Sequence, residues 1–284
     1  MDSKKKFQEL TIRDNFMFAA VMMQDDNCKH FLEMLLGIEI REVKLSYEKC
    51  IIYNPEYKGV RLDVYAADEK NTRYDIEMQI APQHLGKRAR YYHSQMDMEL
   101  LESGHDYEEL PEAYVIFVCD FDPFGREKYC YTFENRCLQD LPLAMGDNSR
   151  SIFLSTKGKD SECIPKELLA FLDFVRNDNE KNDTETDDAY VKDLQRSIHR
   201  VKNNRKLERS FMSLDDFRKL GIKEGKLQAR KEDIFDLLKE KGEVSESLKA
   251  RIMSEMNVES LKAMLKIVVS VASVEEFEEK ISNL

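Results

Sequence analysis

GVRLDVYAADEKNTRYDIEMQI, residues 59–80, reads as two strands joined by a polar turn. Val60, Leu62, Val64 and Ala66 fall on one side of the first strand, and Arg61, Asp63 and Tyr65 on the other. In the second strand Tyr74, Ile76, Met78 and Ile80 form the apolar set, opposed by Asp75, Glu77 and Gln79. Alternation with a period of two is the mark of a strand, because successive side chains leave opposite faces. Asp68 to Thr72 supplies turn-forming residues between the two.

The register follows from matching the apolar faces, since a slip of one residue would bury every charge. A turn centred near Lys70 pairs Leu62 with Met78, Val64 with Ile76, and Asp63 with Glu77. Opposed β-carbons lie about 4.5–5.5 Å apart, and two carboxylates at that distance repel unless a proton or a cation intervenes. Two readings stand side by side. Either these are solvated residues on the wet face of an antiparallel hairpin, or they form a site for a hard divalent ion with oxygen ligands, Mg²⁺ or Mn²⁺.

Asp63, thirteen residues, then Glu77-Met78-Gln79 resembles the D…(D/E)xK signature of the PD-(D/E)xK nuclease superfamily. Within it the chain resembles the Rpn-type recombination-promoting nucleases, often described as putative transposases. DNFMFAAVM (Asp14 to Met22) is similar to that family's opening helix, and VRLDVY with YDIEMQ to its core hairpin. KRARYYHSQMD (Lys87 to Asp97) with LESGHDYEEL (Leu101 to Leu110) resembles the following helix and turn. YVIFVCDFDPFG (Tyr114 to Gly125), YTFEN (Tyr131 to Asn135) and IFLSTKGK (Ile152 to Lys159) resemble the later strands. The likeness covers residues 7–176, with its motifs in the family's order.

The resemblance implies a restriction-endonuclease-like fold and a Mg²⁺-dependent endonuclease acting on DNA, with Mn²⁺ as an alternative ion. Asp63 and Glu77 would hold the ion, with Asp14, the match to the family's first-helix acid, as a further ligand; Asp14 is equally suited to capping its own helix. Gln79 stands where the superfamily has a lysine. It carries no charge, yet its amide can hydrogen-bond a water, so the general base stays open. Lys87, Arg88, Arg90 and Tyr91 are the candidates for contact with phosphates. A lone histidine such as His93 reads as structural. The alternative is a catalytically inactive nucleic-acid-binding or adaptor protein keeping the nuclease fold, or an interaction module whose helical tail does the work.

The 284 residues suffice for one domain with an appendage or for two. No apolar run reaches the length of a membrane span, and MDSKKKFQEL lacks the apolar stretch of a secretory signal. Six cysteines show no CxxC or Cys/His cluster, so reduced thiols in a soluble cytoplasmic protein are expected, with Cys28 and Cys119 as small buried hydrophobes. The net charge of −11 opposes a DNA partner, since Lys and Arg contacts to phosphate dominate such affinity. It is uneven, however. Residues 176–188 hold six acids and two bases, whereas Lys192 to Lys231 holds thirteen bases and five acids.

The order elsewhere is helices at Asp14 to Gln24 and Cys28 to Leu36, the latter closed by Gly37. A strand follows at Ile38 to Lys49, then the hairpin, then a helix at His84 to Ser103. Strands at Ala113 to Cys119, Tyr129 to Phe133 and Ile152 to Ser155 precede a helix starting at Pro165. This is an α/β pattern: a mixed central sheet flanked by helices. We divide the chain into a core at 1–176, an acidic linker at 177–188, and a helical C-terminal region at 189–284. In that region Gly221 and Gly225 interrupt the first helix, and Ser245, Asn257 and Ser273 open short ones. The tail reads as a possible homo-oligomerisation or interaction module without catalytic residues.

Overall fold

The computed structural model describes residues 6–24, 26–51, 60–101, 103–178 and 186–282. The expectations for residues 179–185 of the acidic linker, and for the side chains of Val60, Cys50 and Cys163, lie outside them. The chain divides into two compact units, Met1–Glu208 and Arg209–Leu284.

In the first unit, helices α1 (Asn15–Met22) and α2 (Asn27–Leu36) precede strands β1 (Val43–Ile51), β2 (Val60–Asp68) and β3 (Arg73–Gln79). Helix α3 (Leu85–Leu100) leads to β4 (Ala113–Cys119), β5 (Cys130–Phe133) and β6 (Ser149–Ser155), and helices α4 (Lys166–Asn177) and α5 (Ala189–Lys202) follow. The strands form one mixed sheet in the order β1-β2-β3-β4-β6-β5. β3, β4 and β6 run parallel, and the remaining pairings are antiparallel. This is the restriction-endonuclease-like α/β architecture, followed by a helical C-terminal region.

The hairpin adopts the register read from its alternation. Val64 faces Ile76, Tyr65 faces Asp75, and Ala66 faces Tyr74. Its turn is held by Asp68, whose Oδ1 accepts from the backbone of Lys70 and of Thr72, each at 2.9 Å. Asn71 takes the left-handed conformation there, which asparagine tolerates better than most residues. Gly37 likewise ends α2 with φ of 66°.

The expectation of a wet face does not hold. Tyr65, Asp75, Glu77 and Gln79 are buried, because β3 is paired on both sides and α3 lies across that face. Leu85, Ala89, Tyr92 and Met96 of α3 recur at helical spacing and pack with Tyr65, Val115, Phe117 and Phe153. Helix α1 packs on β2 and β3. Cys28 and Cys119 are buried, as a small apolar side chain would be.

Helix α5, assigned above to the C-terminal region, packs on α1, α2 and α4 and lies within the first unit. Tyr190, Val191, Leu194, Ile198 and Val201 make its buried stripe, and the Tyr190 hydroxyl donates to the Asn27 carbonyl at 2.9 Å. Nor do the glycines break the next helix, α6 (Arg205–Lys239), which runs through Gly221 and Gly225. A glycine inside a helix costs only about 1 kcal/mol against alanine. The break falls at Asn203-Asn204, where the Asn204 side chain accepts from the Lys206 and Leu207 amides.

The second unit adds α7 (Glu246–Ser254), α8 (Val258–Ser270) and α9 (Val274–Ile281). Ser245, Asn257 and Ser273 cap them through their side chains. Leu238, Leu248, Ile252, Leu261, Phe277 and Ile281 are buried in its core. Among the described residues, no helix is long and apolar enough to cross a membrane.

Candidate active site

Beyond Val64 and Ile76 the two central strands part, and side chains take over from the ladder. The Asp63 N–H donates to Glu77 Oε1 at 3.1 Å. Asp63 in turn accepts from the Met78 backbone. Its Oδ2 accepts from the Asn15 amide at 2.7 Å, which ties the first residue of α1 to β2. The two acids read from the sequence therefore sit together at the fork of the hairpin, each bound to the other's strand.

Arg88 closes the arrangement from α3. Its guanidinium donates to Glu77 Oε2, to Gln79 Oε1 at 2.9 Å, and to the Tyr92 hydroxyl at 2.6 Å. It lies over the rings of Tyr92 and Phe117, at 4.9 and 5.5 Å from their centroids. Five donors in a planar fork allow one arginine to serve three acceptors at once. Gln79 Nε2 approaches Glu77 Oε2 at 3.4 Å, so the amide bridges the acid and the arginine.

Burial governs the charge of these acids, and Asp63 adds to the rise of Glu77. Asp63 is pushed up to about 6, chiefly by burial, against the pull of Asn15, Arg88 and Arg61. Glu77 is pushed up to about 8 by burial and then by Asp63, with Arg88 opposing. Asp75, two residues back on β3, is fully buried; neither of its oxygens makes a hydrogen bond, and its carboxyl is raised well above the usual range, first by burial. An unpaired buried carboxylate is costly, which favours its protonated form.

Above the acids opens a cleft of about 1080 Å³, lined in part by Asn15, Arg61, Gln79, Lys87, Arg88 and Tyr91. No Asp or Glu is among its described lining residues. Polyanion chemistry suits such a wall: cations on the surface, with the acids beneath. Arg90 is exposed and not in the lining, because it projects from a different side of α3 than Lys87, Arg88 and Tyr91. Asp14 Oδ2 accepts from Thr11 N at 2.8 Å and Thr11 Oγ1 at 3.1 Å and makes no side-chain cap to its own helix, and its neighbour Asn15 is the side chain that meets Asp63. His93 is buried between Ser149 and Ser151, and burial lowers it to about 4, a structural role.

Among the described residues no three His, Cys, Asp or Glu side chains gather to hold a metal ion. The donor set is narrower: two carboxylates, with the amides of Asn15 and Gln79 beside them. Two adjacent acids raised chiefly by burial still fit a hard cation, whose charge would favour the ionised form of both. Sequence reasoning missed Asn15 and Arg61 as cleft residues. Arg61 was legible as the residue sharing a strand face with Asp63, whereas Asn15 carried no signal beyond its place at a helix start.

A family model described as PD-(D/E)XK nuclease family transposase matches residues 15–138, the stretch that holds both acids, Gln79 and the cationic wall. No curated protein and no solved structure matches the chain.

Proposed function

We infer, for a chain whose residues 15–138 match a family model described as PD-(D/E)XK nuclease family transposase, a divalent-metal-dependent endonuclease that hydrolyses phosphodiester bonds in DNA. The observation that carries this reading is the pairing of two buried, adjacent carboxyl groups with a cleft wall of Arg61, Lys87 and Arg88. Mg²⁺, or Mn²⁺, would be held by Asp63 and Glu77. Bound there, the ion supplies Lewis acidity to the phosphorus centre and to the attacking water.

The side chains do the rest. Asn15 fixes Asp63 from α1, and the Asp63 amide fixes Glu77, so neither acid is free to swing. Lys87, Arg61 and Tyr91 bind the backbone and orient it over the acids. Gln79 orients the water through its amide; it cannot take the proton, which passes to solvent or to a phosphate oxygen. Arg88 neutralises Glu77 in the absence of an ion and stabilises charge on the phosphate once Glu77 is otherwise engaged. Recombination or transposition is the cellular use that fits a cut of this kind, in the cytoplasm, with the helices of the second unit joining copies of the chain.

One observation favours a second reading, a nucleic-acid-binding protein without activity. Arg88 already satisfies Glu77, and glutamine replaces the superfamily's lysine. Incubating supercoiled plasmid with Mg²⁺ and either the native chain or Asp63→Ala separates the two. Nicking by the native chain alone supports the nuclease, and equal nicking by both overturns it.

A further inference from the structure

At the carboxyl ends of β4 and β6 a second charged cluster adjoins the acids. Asp120 follows β4 directly, and its N–H donates to the Gln79 carbonyl at 2.9 Å, fastening it to the end of β3. Its carboxylate accepts from Arg13 Nη1 at 3.0 Å, Lys157 Nζ at 3.3 Å and Thr156 Oγ1 at 2.8 Å. Two cations thus converge on one acid and leave a net positive charge. Asp120 is 14% exposed while the side chains of Arg13 and Lys157 are 35% and 47% exposed, so the acid lies beneath and the cations face outward.

Both cations are anchored close to the acids. Arg13 stands two residues ahead of Asn15, the residue bound to Asp63, so their backbones are within about 7 Å by chain reach alone. Lys157 sits on a rigid turn. Thr156 N donates to the Cys119 carbonyl at 3.0 Å, Lys157 N to Ser155 Oγ at 3.0 Å, and Lys159 N to the Glu127 carbonyl at 2.7 Å. Gly158 is pressed so closely on Tyr129 that a β-carbon would lie 2.3 Å from its ring and 2.4 Å from its backbone nitrogen. The parallel strands β3, β4 and β6 therefore deliver Gln79, Asp120 and Lys157 to one end of the sheet, the end at which open α/β sheets bind ligands.

We propose that Arg13 and Lys157, bracketed by Asp120, bind a phosphate of the nucleic-acid strand next to the one placed over Asp63 and Glu77; this rests on the nuclease reading above. The bracket spends one of the five donors of the arginine and one of the three of the lysine, leaving donors for phosphate oxygens. Lys159 differs: it pairs one-to-one with Glu127 and leaves no net charge. The strand then runs between two cationic flanks, Arg61, Lys87 and Arg88 on one side and this pair on the other.

Fluorescence anisotropy of a short labelled DNA duplex tests it, with metal-free protein in EDTA at several salt concentrations. Lys157→Gln and Arg13→Gln should each bind several-fold more weakly and lose about 0.9 from the slope of log affinity against log salt. Lys157→Arg should keep both affinity and slope, and melting curves should match the native chain. If the native chain binds and the glutamine variants keep its slope, the phosphate site is overturned and the nuclease reading stands. If the native chain binds no DNA even at low salt, both fall.

Discussion

Replacing Asp63 with asparagine keeps the size of the side chain and removes its charge. In the native fold Asp63 rises from an ordinary 3.8 to about 6, mostly because it is buried. The folded chain therefore holds a proton that the unfolded chain has released, and stability falls as pH climbs through this window. At about 1.4 kcal/mol per pKa unit, the cost reaches roughly 3 kcal/mol above pH 7 and vanishes below about pH 4. Asparagine escapes that cost, and its oxygen can still accept from Asn15. Asp63→Asn should thus be more stable than the native chain by about 2–3 kcal/mol in EDTA at pH 8, and equal to it at pH 4. For a unit of this size the gain corresponds to a melting shift of roughly 5–10 °C. Saturating Mg²⁺ should reverse the order, because an ion at about 1,000 times its dissociation constant adds about 4.1 kcal/mol to the protein that binds it and nothing to the other. Thermal melts across pH, with and without Mg²⁺, make the measurement. The reasoning fails if the variant's advantage does not grow with pH, or if Mg²⁺ raises both melting temperatures alike.

Arg88→Met removes the cation that holds Glu77 down, so Glu77 keeps its proton beyond the native value of about 8, and the variant's stability deficit should be about 1 kcal/mol larger at pH 9 than at pH 6; chemical denaturation at the two pH values checks this. Gln79→Ala should slow nicking about 10²-fold while leaving Mn²⁺ affinity unchanged by calorimetry, since its task is to orient a water. A chain ending at residue 208 should fold and keep the site, whereas one ending at 188 should aggregate. The second truncation strips α5 and with it five buried apolar side chains, about 1.5–3 kcal/mol each. Sedimentation of the longer fragment also tests the tail: if it retains the oligomeric state of the full chain, the helices of the second unit are not the assembly element.

The hairpin was legible because a period of two leaves one register that hides the apolar face, and Asp63 and Glu77 followed from that register. What alternation could not reveal is that β3 is a central strand. Polar residues on a strand read as wet, yet α3 covers them, and only the pairing of β3 with β4 gives the reason. Arg88 was visible as part of a basic cluster, but its fork over Glu77, Gln79 and Tyr92 depends on packing between α3 and the sheet. The boundary was drawn at the acidic run because charge dominates the sequence there, while the stripe from Tyr190 to Val201 that binds α5 to the first unit is spread thinly among Lys and Arg. Asn203-Asn204 ends that helix where glycine was expected to, since asparagine offers the next helix a cap and glycine offers none. The meeting of Arg13, Asp120 and Lys157 spans three distant stretches of chain and is set by strand order alone.

The most direct test of the account is a crystal soaked in Mn²⁺ and recorded at a wavelength where manganese scatters anomalously. An anomalous peak shared by Asp63 and Glu77, with Arg88 withdrawn from Glu77, is the predicted result. A peak away from both acids, or none with Arg88 still in place on Glu77, would contradict it.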